Sequence, residues 1–262
     1  MSVGVFSRTR QFDADTIKYV NQFSVKPSWK RYILYDDLVK RLKVDLNWGL
    51  LDRFWIFAHE AGLQQASLIN LVNPLGTQLT EVSAPVWTAD QGYTGDGVAD
   101  YLDTNFIPST NGVNWVLNSC SAGGYFRINQ QADSNEFGGT VITVGTAVRI
   151  RNTLNSFLGR INDGTFISAI DSTTDGRGLS STTRINSTTH TNYKNGIIGS
   201  SAASTSFNTN VKLYILVNNN NGTPAAFSTN QVSCFYCGSG NIDQFKIYVA
   251  IQRYMTALGT QV

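Results

Sequence analysis

Hydrophobic positions change their period twice along this chain. Near the start they recur at helical spacing. Tyr35, Leu38, Val39 and Leu42 fall at i, i+3, i+4 and i+7, and Ser28, just after the break at Pro27, is placed to cap that helix. A shorter helix is expected before it, capped by Asp13 or Asp15 and reaching about Phe23, with Ile17, Val20 and Phe23 as its apolar stripe. The run 47–58 is the most apolar part of the first third. Trp48, Leu51, Phe54, Trp55 and Ala58 suit a helix, while 54–58 equally suits a buried strand. From Pro74 onward the pattern is that of short strands, expected at 114–121, 124–129, 141–144, 147–152, 156–161, 165–170, 178–186, 188–193, 196–198, 212–217 and 232–237. Turn signals separate them: Asn162-Asp163-Gly164, Thr174-Asp175-Gly176, Asn195-Gly196 and the amide run ending at Gly222. One helix closes the chain. Ile242-Asp243 opens it, Gly259 ends it, and Phe245, Tyr248, Val249, Tyr254, Met255 and Leu258, with Ile251 in part, supply its apolar residues.

The stretch Trp87 to Phe106 organises this pattern. Gly92, Gly95 and Gly97 allow sharp turns, and Tyr101, Asp103 and Asn105 alternate with Leu102, Thr104 and Phe106. It reads as the first main strand pair of a β-sandwich. With many short strands behind it, the fold class is mainly β, with a small helical N-terminal part and a C-terminal helix.

Composition narrows the function. Charged residues make up only 15 % of the chain and the net charge is +2, too little for a partner that is a nucleic-acid polyanion. Asn, Ser, Thr and Gly cover the last two-thirds, a surface common on extracellular and virion proteins. No apolar run reaches the roughly 20 residues that span a bilayer, and residues 1–16 lack the apolar stretch of a signal peptide, so neither a membrane nor Sec export is expected.

Candidate chemistry is sparse. Cys234 and Cys237 have C-x-x-C spacing, but in a strand they point to opposite faces, and Cys120 leaves the count odd. His59 beside Glu60 invites an acid–base role, yet no further motif supports it. Glu60, Glu81 and Glu136 are the only glutamates and never form the E-x-D-x-E of sandwich glycosidases, and neither His59 nor His190 accompanies a nucleophile elbow. No catalytic residue is expected. Asp96, Asp100 and Asp103 are the candidates for a hard cation, calcium, against the alternative that they form turns. Trp87, Tyr93, Trp115, Tyr125 and Tyr193 are the candidates for stacking on a sugar, against the alternative that they are core. Asn152, Arg160 and Arg177 look too scattered to form a site.

The segment Tyr101-Leu-Asp-Thr-Asn-Phe-Ile-Pro resembles a signature of concanavalin-like, laminin-G-like jelly rolls, and Tyr193-Lys-Asn-Gly resembles their recurrent hairpin. With G-Y-T-G-D-G at 92–97, I-Q-R-Y-M-T-A-L-G at 251–259, and the lead-in L-L-D-R-F-W-I-F-A at 50–58 followed by A-S-L-I-N-L-V-N-P at 66–74, the chain resembles uncharacterised virion-associated proteins of tailed phages and prophages. That resemblance implies early strands at 55–58 and 67–72. It also implies a non-enzymatic structural protein of the virion, made in the host cytoplasm and exposed on head or tail, with other capsid or tail subunits as partners. The alternative is a carbohydrate-binding adhesion module for host-surface glycans. Residues 1–70 carry ten basic against seven acidic groups, which directs attention to 1–45 as a helical attachment region and 46–262 as the jelly roll. By analogy with virion fibres a homo-oligomer, a trimer, is expected, as is a folded, soluble fragment beginning near Leu46.

Overall fold

The computed structural model describes residues 10–164, 167–170, 173–203 and 205–262. Most of the polar arm at 1–11, and the first residues of the strand expected at 165–170, lie outside them. Helix α1 (Ala14–Val20) starts at Asp13, whose carboxylate accepts from Asp15 N at 2.9 Å. Helix α2 (Trp29–Val44) starts at Ser28, whose hydroxyl accepts from Arg31 N. Tyr35, Leu38, Val39 and Leu42 are all buried, as their spacing predicts. In α1 the stripe is rotated: Thr16 and Tyr19 are buried with Val20, while Ile17 is exposed.

The doubly apolar run resolves as strand β1 (Leu51–Ile56), preceded by a 3-10 turn at Trp48–Leu50. Phe54 and Ile56 face the helices, and Trp55 faces the space between the sheets. A strand buried on both faces shows no period-2 signal, which is why the sequence pattern was ambiguous here. The expected strand at 67–72 is absent: Gln64–Leu68 is a 3-10 helix followed by bends.

The organising stretch corrects the sequence reading. It holds β3 (Val86–Thr88), β4 (Gly92–Thr94) and β5 (Tyr101–Asp103), after β2 (Thr80–Val82). Strand β4 pairs with β3, whereas β5 pairs with β2, so the loop between β4 and β5 crosses from one sheet to the other. Close backbone contact requires glycine at the start of β4 and at the crossing. A Cβ on Gly92 would lie 2.0 Å from Val232 O, and one on Gly95 would lie 2.2 Å from Ser228 O. The alternation beyond it holds only in part: Leu102, Thr104 and Phe106 are buried and Tyr101 and Asn105 only partly, but Asp103, expected on the exposed face, is buried as well and is held by Lys212.

A short helix α3 (Pro108–Asn111) leads to a loop whose amides at Val113, Asn114 and Trp115 all donate to the Asp52 carboxylate. The strands that follow are β6 (Cys120–Phe126), β7 (Phe137–Val141), β8 (Val144–Arg149), β9 (Phe157–Asp163), β10 (Ile167–Ile170), β11 (Gly178–Arg184), β12 (Thr189–Lys194) and β13 (Ile197–Ala203). After them come β14 (Tyr214–Ile215), β15 (Asn218–Asn220), β16 (Thr223–Ala225), β17 (Gln231–Gly238) and helix α4 (Gln244–Leu258), which Gly259 ends in the left-handed region. The two strands expected at 114–121 and 124–129 are thus one strand, β6, behind a loop. Asn195 and Gly196 both have positive φ (50° and 74°), the turn that the Asn-Gly pair predicts.

Among the described residues these strands form two sheets. The inner sheet runs β13-β12-β11-β6-β17-β4-β3, with β1 also paired to β17. The outer sheet runs β10-β9-β8-β7-β14-β5-β2, with β15 and β16 beside β7. Trp55, Phe126, Phe137, Phe157, Ile215 and Phe235 fill the space between the sheets. The other face of the inner sheet is covered by the helices, through Tyr19, Tyr35, Leu38, Leu42, Ile247, Ile251 and Met255. Helix α4 buries Ile247, Ala250 and Ile251 rather than Phe245, Tyr248 and Val249, a rotation from the expected stripe that leaves Phe245 57 % exposed. The architecture is a concanavalin-like jelly-roll sandwich with three helices laid on one sheet. The N-terminal helices share that sheet's core: Tyr35 stacks on Tyr254 of α4, and Arg31 donates to Ala58 O, Tyr254 Oη and the Asp90 carboxylate.

Candidate functional site

Four loops meet at the end of the sandwich where β6, β8 and β12 finish and β7, β9 and β11 begin. They are 127–136, 150–156, 173–177 and the hairpin turn at Asn195-Gly196. Turn-forming amides shape them. Asn152 Oδ1 accepts from Leu154 N at 2.9 Å and Ser156 N at 2.8 Å, which closes the second loop, and Asn155 takes positive φ (58°). Gly176 lies so close to this loop that a Cβ there would be 3.2 Å from Ile150.

Side chains tie the loops together. Asn129 Oδ1 accepts from Gly176 N at 2.9 Å and from Arg151 Nη1 at 3.0 Å, and its amide donates to Thr174 O. Arg151 Nε donates to Asn155 Oδ1 at 2.9 Å. Arg149 Nε donates to Asn135 Oδ1 at 3.1 Å, and Gln131 reaches Thr153 O. Arg177 forms a two-toothed pair with Asp175, which lowers the Asp175 carboxyl to about 2. The result is a rim of guanidinium and carboxamide groups tied together on polar loops, suited to hydrogen-bonding a polar ligand.

Beneath the rim lie two titratable groups, Glu136 buried and Lys194 partly buried. Glu136 accepts from Ile150 N at 3.0 Å, and burial pushes its carboxyl up to about 8. Lys194 donates to Gly176 O at 2.6 Å and to Ser180 Oγ, and burial pulls its ammonium down to about 7. Around neutral pH Glu136 therefore adds little negative charge under the rim.

The residues expected from sequence to bind sugar lie elsewhere. Tyr93, Trp115 and Tyr125 are 0–2 % exposed, and rings with no free face cannot stack on a sugar. Trp87 is half-buried, with its indole N–H donating to Phe57 O. Tyr193 is half-buried and registers with Ser181, whose hydroxyl bonds Gln244 of α4, so its ring lies on the helix side of the inner sheet. The aspartates do not converge as ligands. Asp96 closes its own loop by accepting from the amides of Val98, Ala99 and Asp100, which lowers its carboxyl. Asp100 is raised by burial and by Asp96. Asp103 is held by Lys212 Nζ at 2.8 Å.

Other suggestive groups are structural. His59 is fully buried between Tyr35 Oη (2.6 Å) and Tyr19 Oη (3.3 Å), and burial lowers its imidazole to about 3. Glu60 accepts from the amide and hydroxyl of Ser28 at the start of α2. Glu81 accepts from Tyr93 Oη and from Gln64. His190 lies inside the outer end of the sandwich, 2.9 Å from Asp163 and beside the buried Arg184. Cys234 faces the helices and Cys237 the inter-sheet core, opposite faces of β17, so they share no ligand position. Of the residues judged too scattered, Asn152 and Arg177 are brought to the rim, while Arg160 bonds Thr143 O beyond it.

No family model matches the chain, and no curated sequence matches it. Solved structures match its shape. The chain is similar to the receptor-binding domain of botulinum neurotoxin C/D mosaic serotype, at 9 % identity and a TM-score of 0.53, over 80 % of this chain and 52 % of that one. It is similar to the botulinum neurotoxin serotype D binding domain at 10 % identity and 0.50, over 77 % and 52 %. It is also similar to a mutant of Trypanosoma rangeli sialidase displaying trans-sialidase activity, at 9 % identity and 0.50, over 86 % and 39 %. The chain spans about half or less of each of those chains, and at these identities the likeness establishes the fold: a concanavalin-like jelly-roll β-sandwich.

Proposed function

We propose that this chain is a non-enzymatic structural protein of a tailed-phage virion that presents a lectin-like β-sandwich outward and contacts host-surface glycans with its end loops. The rim of Asn129, Arg149, Arg151 and Asn155 carries the recognition part of this reading. Its hydrogen-bonding groups are fixed by one another on a rigid scaffold, so little ordering cost falls on binding. Two of the matched structures are named as binding domains and one as a sialidase, and the binding domains are the neighbours this reading follows. A non-catalytic role is further supported by the three glutamates, each held by its own structural partners on separate elements.

The virion role rests on the phage-like segments at 50–58, 66–74, 92–97, 101–110 and 251–259. The helical face is the proposed attachment side. A groove of about 420 Å³ runs between α2 and α4, with Leu34, Val44 and Ala257 among its lining and Asp37, Arg41 and Arg253 at its margins. Mass spectrometry of purified particles of the encoding phage tests the assignment. The protein should copurify through a density gradient at many copies per particle, and its absence from particles would overturn the virion role. A receptor-binding protein confined to the tail tip would instead appear at a few copies.

A further inference from the structure

Among the rim's cations, Arg151 differs in what holds it. Arg177 is neutralised by Asp175. Arg151 is oriented by two neutral oxygens, Asn129 Oδ1 on Nη1 and Asn155 Oδ1 on Nε, and among the described residues no carboxylate lies within ion-pairing distance of it. Its Nη2 edge takes no part in those bonds. A guanidinium held in one plane by two amides, with its charge uncompensated and an edge unused, is a fork waiting for a planar anion.

The surroundings decide which anion. Asp133 and Asp175 stand on the same rim, so a polyanion such as nucleic acid would meet like charge. One carboxylate set among hydroxyls fits better. Gln131, Thr153 and Thr174 are exposed on the loops that carry Arg151 and its partner Asn129, the Gln131 amide donating to Thr153 O and the Thr153 hydroxyl to Asp133, and Leu154, 80 % exposed at the loop tip, offers an apolar contact for C–H groups.

We infer that the rim is a binding site for an acidic saccharide, whose carboxylate is taken by Arg151 and whose hydroxyls are met by the amides and hydroxyls of loops 127–136 and 150–156. This rests on the glycan-recognition reading above and specifies its ligand class.

The test is titration calorimetry of the full chain with sialyllactose and a galacturonate oligomer, each compared with its neutral counterpart, lactose and the methyl-esterified oligomer. At least one acidic probe should bind at least tenfold more tightly than its neutral form, and the preference should shrink as salt is raised. Arg151→Gln should abolish the preference, with the fold checked by circular dichroism. Should Arg151→Gln unfold, Leu154→Glu serves in its place: it sets a carboxylate on an exposed tip and should weaken acidic probes while sparing neutral ones. Equal binding of acidic and neutral probes would overturn the carboxylate site and leave glycan recognition standing. Acidic binding unaffected by both substitutions would place the site elsewhere. No binding to any probe would count against this site and against glycan recognition together.

Discussion

Tyr35 decides whether the N-terminal helices are a detachable arm or part of the folded body. Its ring is fully buried, within 6.1 Å of Tyr254, 5.9 Å of Tyr19 and 5.8 Å of Phe23 between centroids, and its hydroxyl meets His59 Nδ1. Truncating a buried aromatic to Ala costs about 3–5 kcal/mol. Leaving His59 Nδ1 without its partner adds about 1–3 kcal/mol. The sum, about 4–8 kcal/mol, is a large share of the roughly 5–15 kcal/mol that stabilises a typical domain. At about 2–4 °C per kcal/mol for a chain approaching this size, Tyr35→Ala should lower Tm by roughly 10–30 °C. Tyr35→Phe keeps the ring and should lose about a third of that, since only the hydroxyl's bond goes. Followed by circular dichroism at 222 nm and by near-ultraviolet signal, both probes should report one transition, because helices and sheet share a core. A fragment beginning near Leu46 should then aggregate, since Phe54, Ile56, Cys234 and Tyr236 lose the helices that cover them. This reverses the expectation from sequence of a soluble fragment. A Tyr35→Ala melt within about 3 °C of the parent, or a monodisperse fragment with a cooperative melt, would refute the shared-core argument.

Two further outcomes follow from buried groups. Leu102 is fully buried between the sheets and Tyr101 is half-exposed against Tyr214, so Leu102→Asp should leave no folded protein, through an unpaired buried carboxylate costing several kcal/mol, while Tyr101→Asp should cost only about 1–2 kcal/mol; equal melting losses would contradict the register of β5. Glu136 is raised to about 8 from 4.5, so between those values the folded chain keeps a proton that the unfolded chain has lost, and stability falls as pH rises. His59, lowered to about 3 from 6.5, works the other way, its contribution falling as pH drops through that window. Glu136→Gln removes only the first term, so its urea midpoint relative to the parent should improve from pH 5 to pH 7 by a free energy of up to about 1.4 kcal/mol per pH unit. Parallel pH profiles would show that Glu136 is not held protonated.

What the sequence made legible follows from how many faces of each element are buried. Helix α2 buries one stripe, and its spacing announced Tyr35, Leu38, Val39 and Leu42 correctly. The Asn195-Gly196 turn was legible because both residues tolerate the positive φ they adopt. Strand β1 is covered by helices on one side and by the outer sheet on the other, so its apolar run had no period to read. The stretch from Gly92 to the crossing at Gly95 was read as a strand pair because the need for glycine there comes from Val232 O and Ser228 O, more than 130 residues away. The candidate site was hidden for the same reason. Asn129, Arg151 and Gly176 are unremarkable one by one, and only the return of β6, β8 and β11 to a common end lets one asparagine oxygen hold the other two. Large aromatics drew attention instead, but in a sandwich whose inter-sheet space must be filled, Tyr93 and Trp115 do more for stability inside than they could for recognition outside. The trace the sequence did carry was composition: Asn, Gln and Asp crowd the turn 129–135, Arg and Asn the turn 151–155, and Asp and Arg the turn 174–177. Polar turns of that kind at both ends of a sandwich are ordinary. These differ at Arg151, whose guanidinium is oriented by Asn129 of a neighbouring loop and Asn155 of its own, the feature on which the proposed carboxylate site rests.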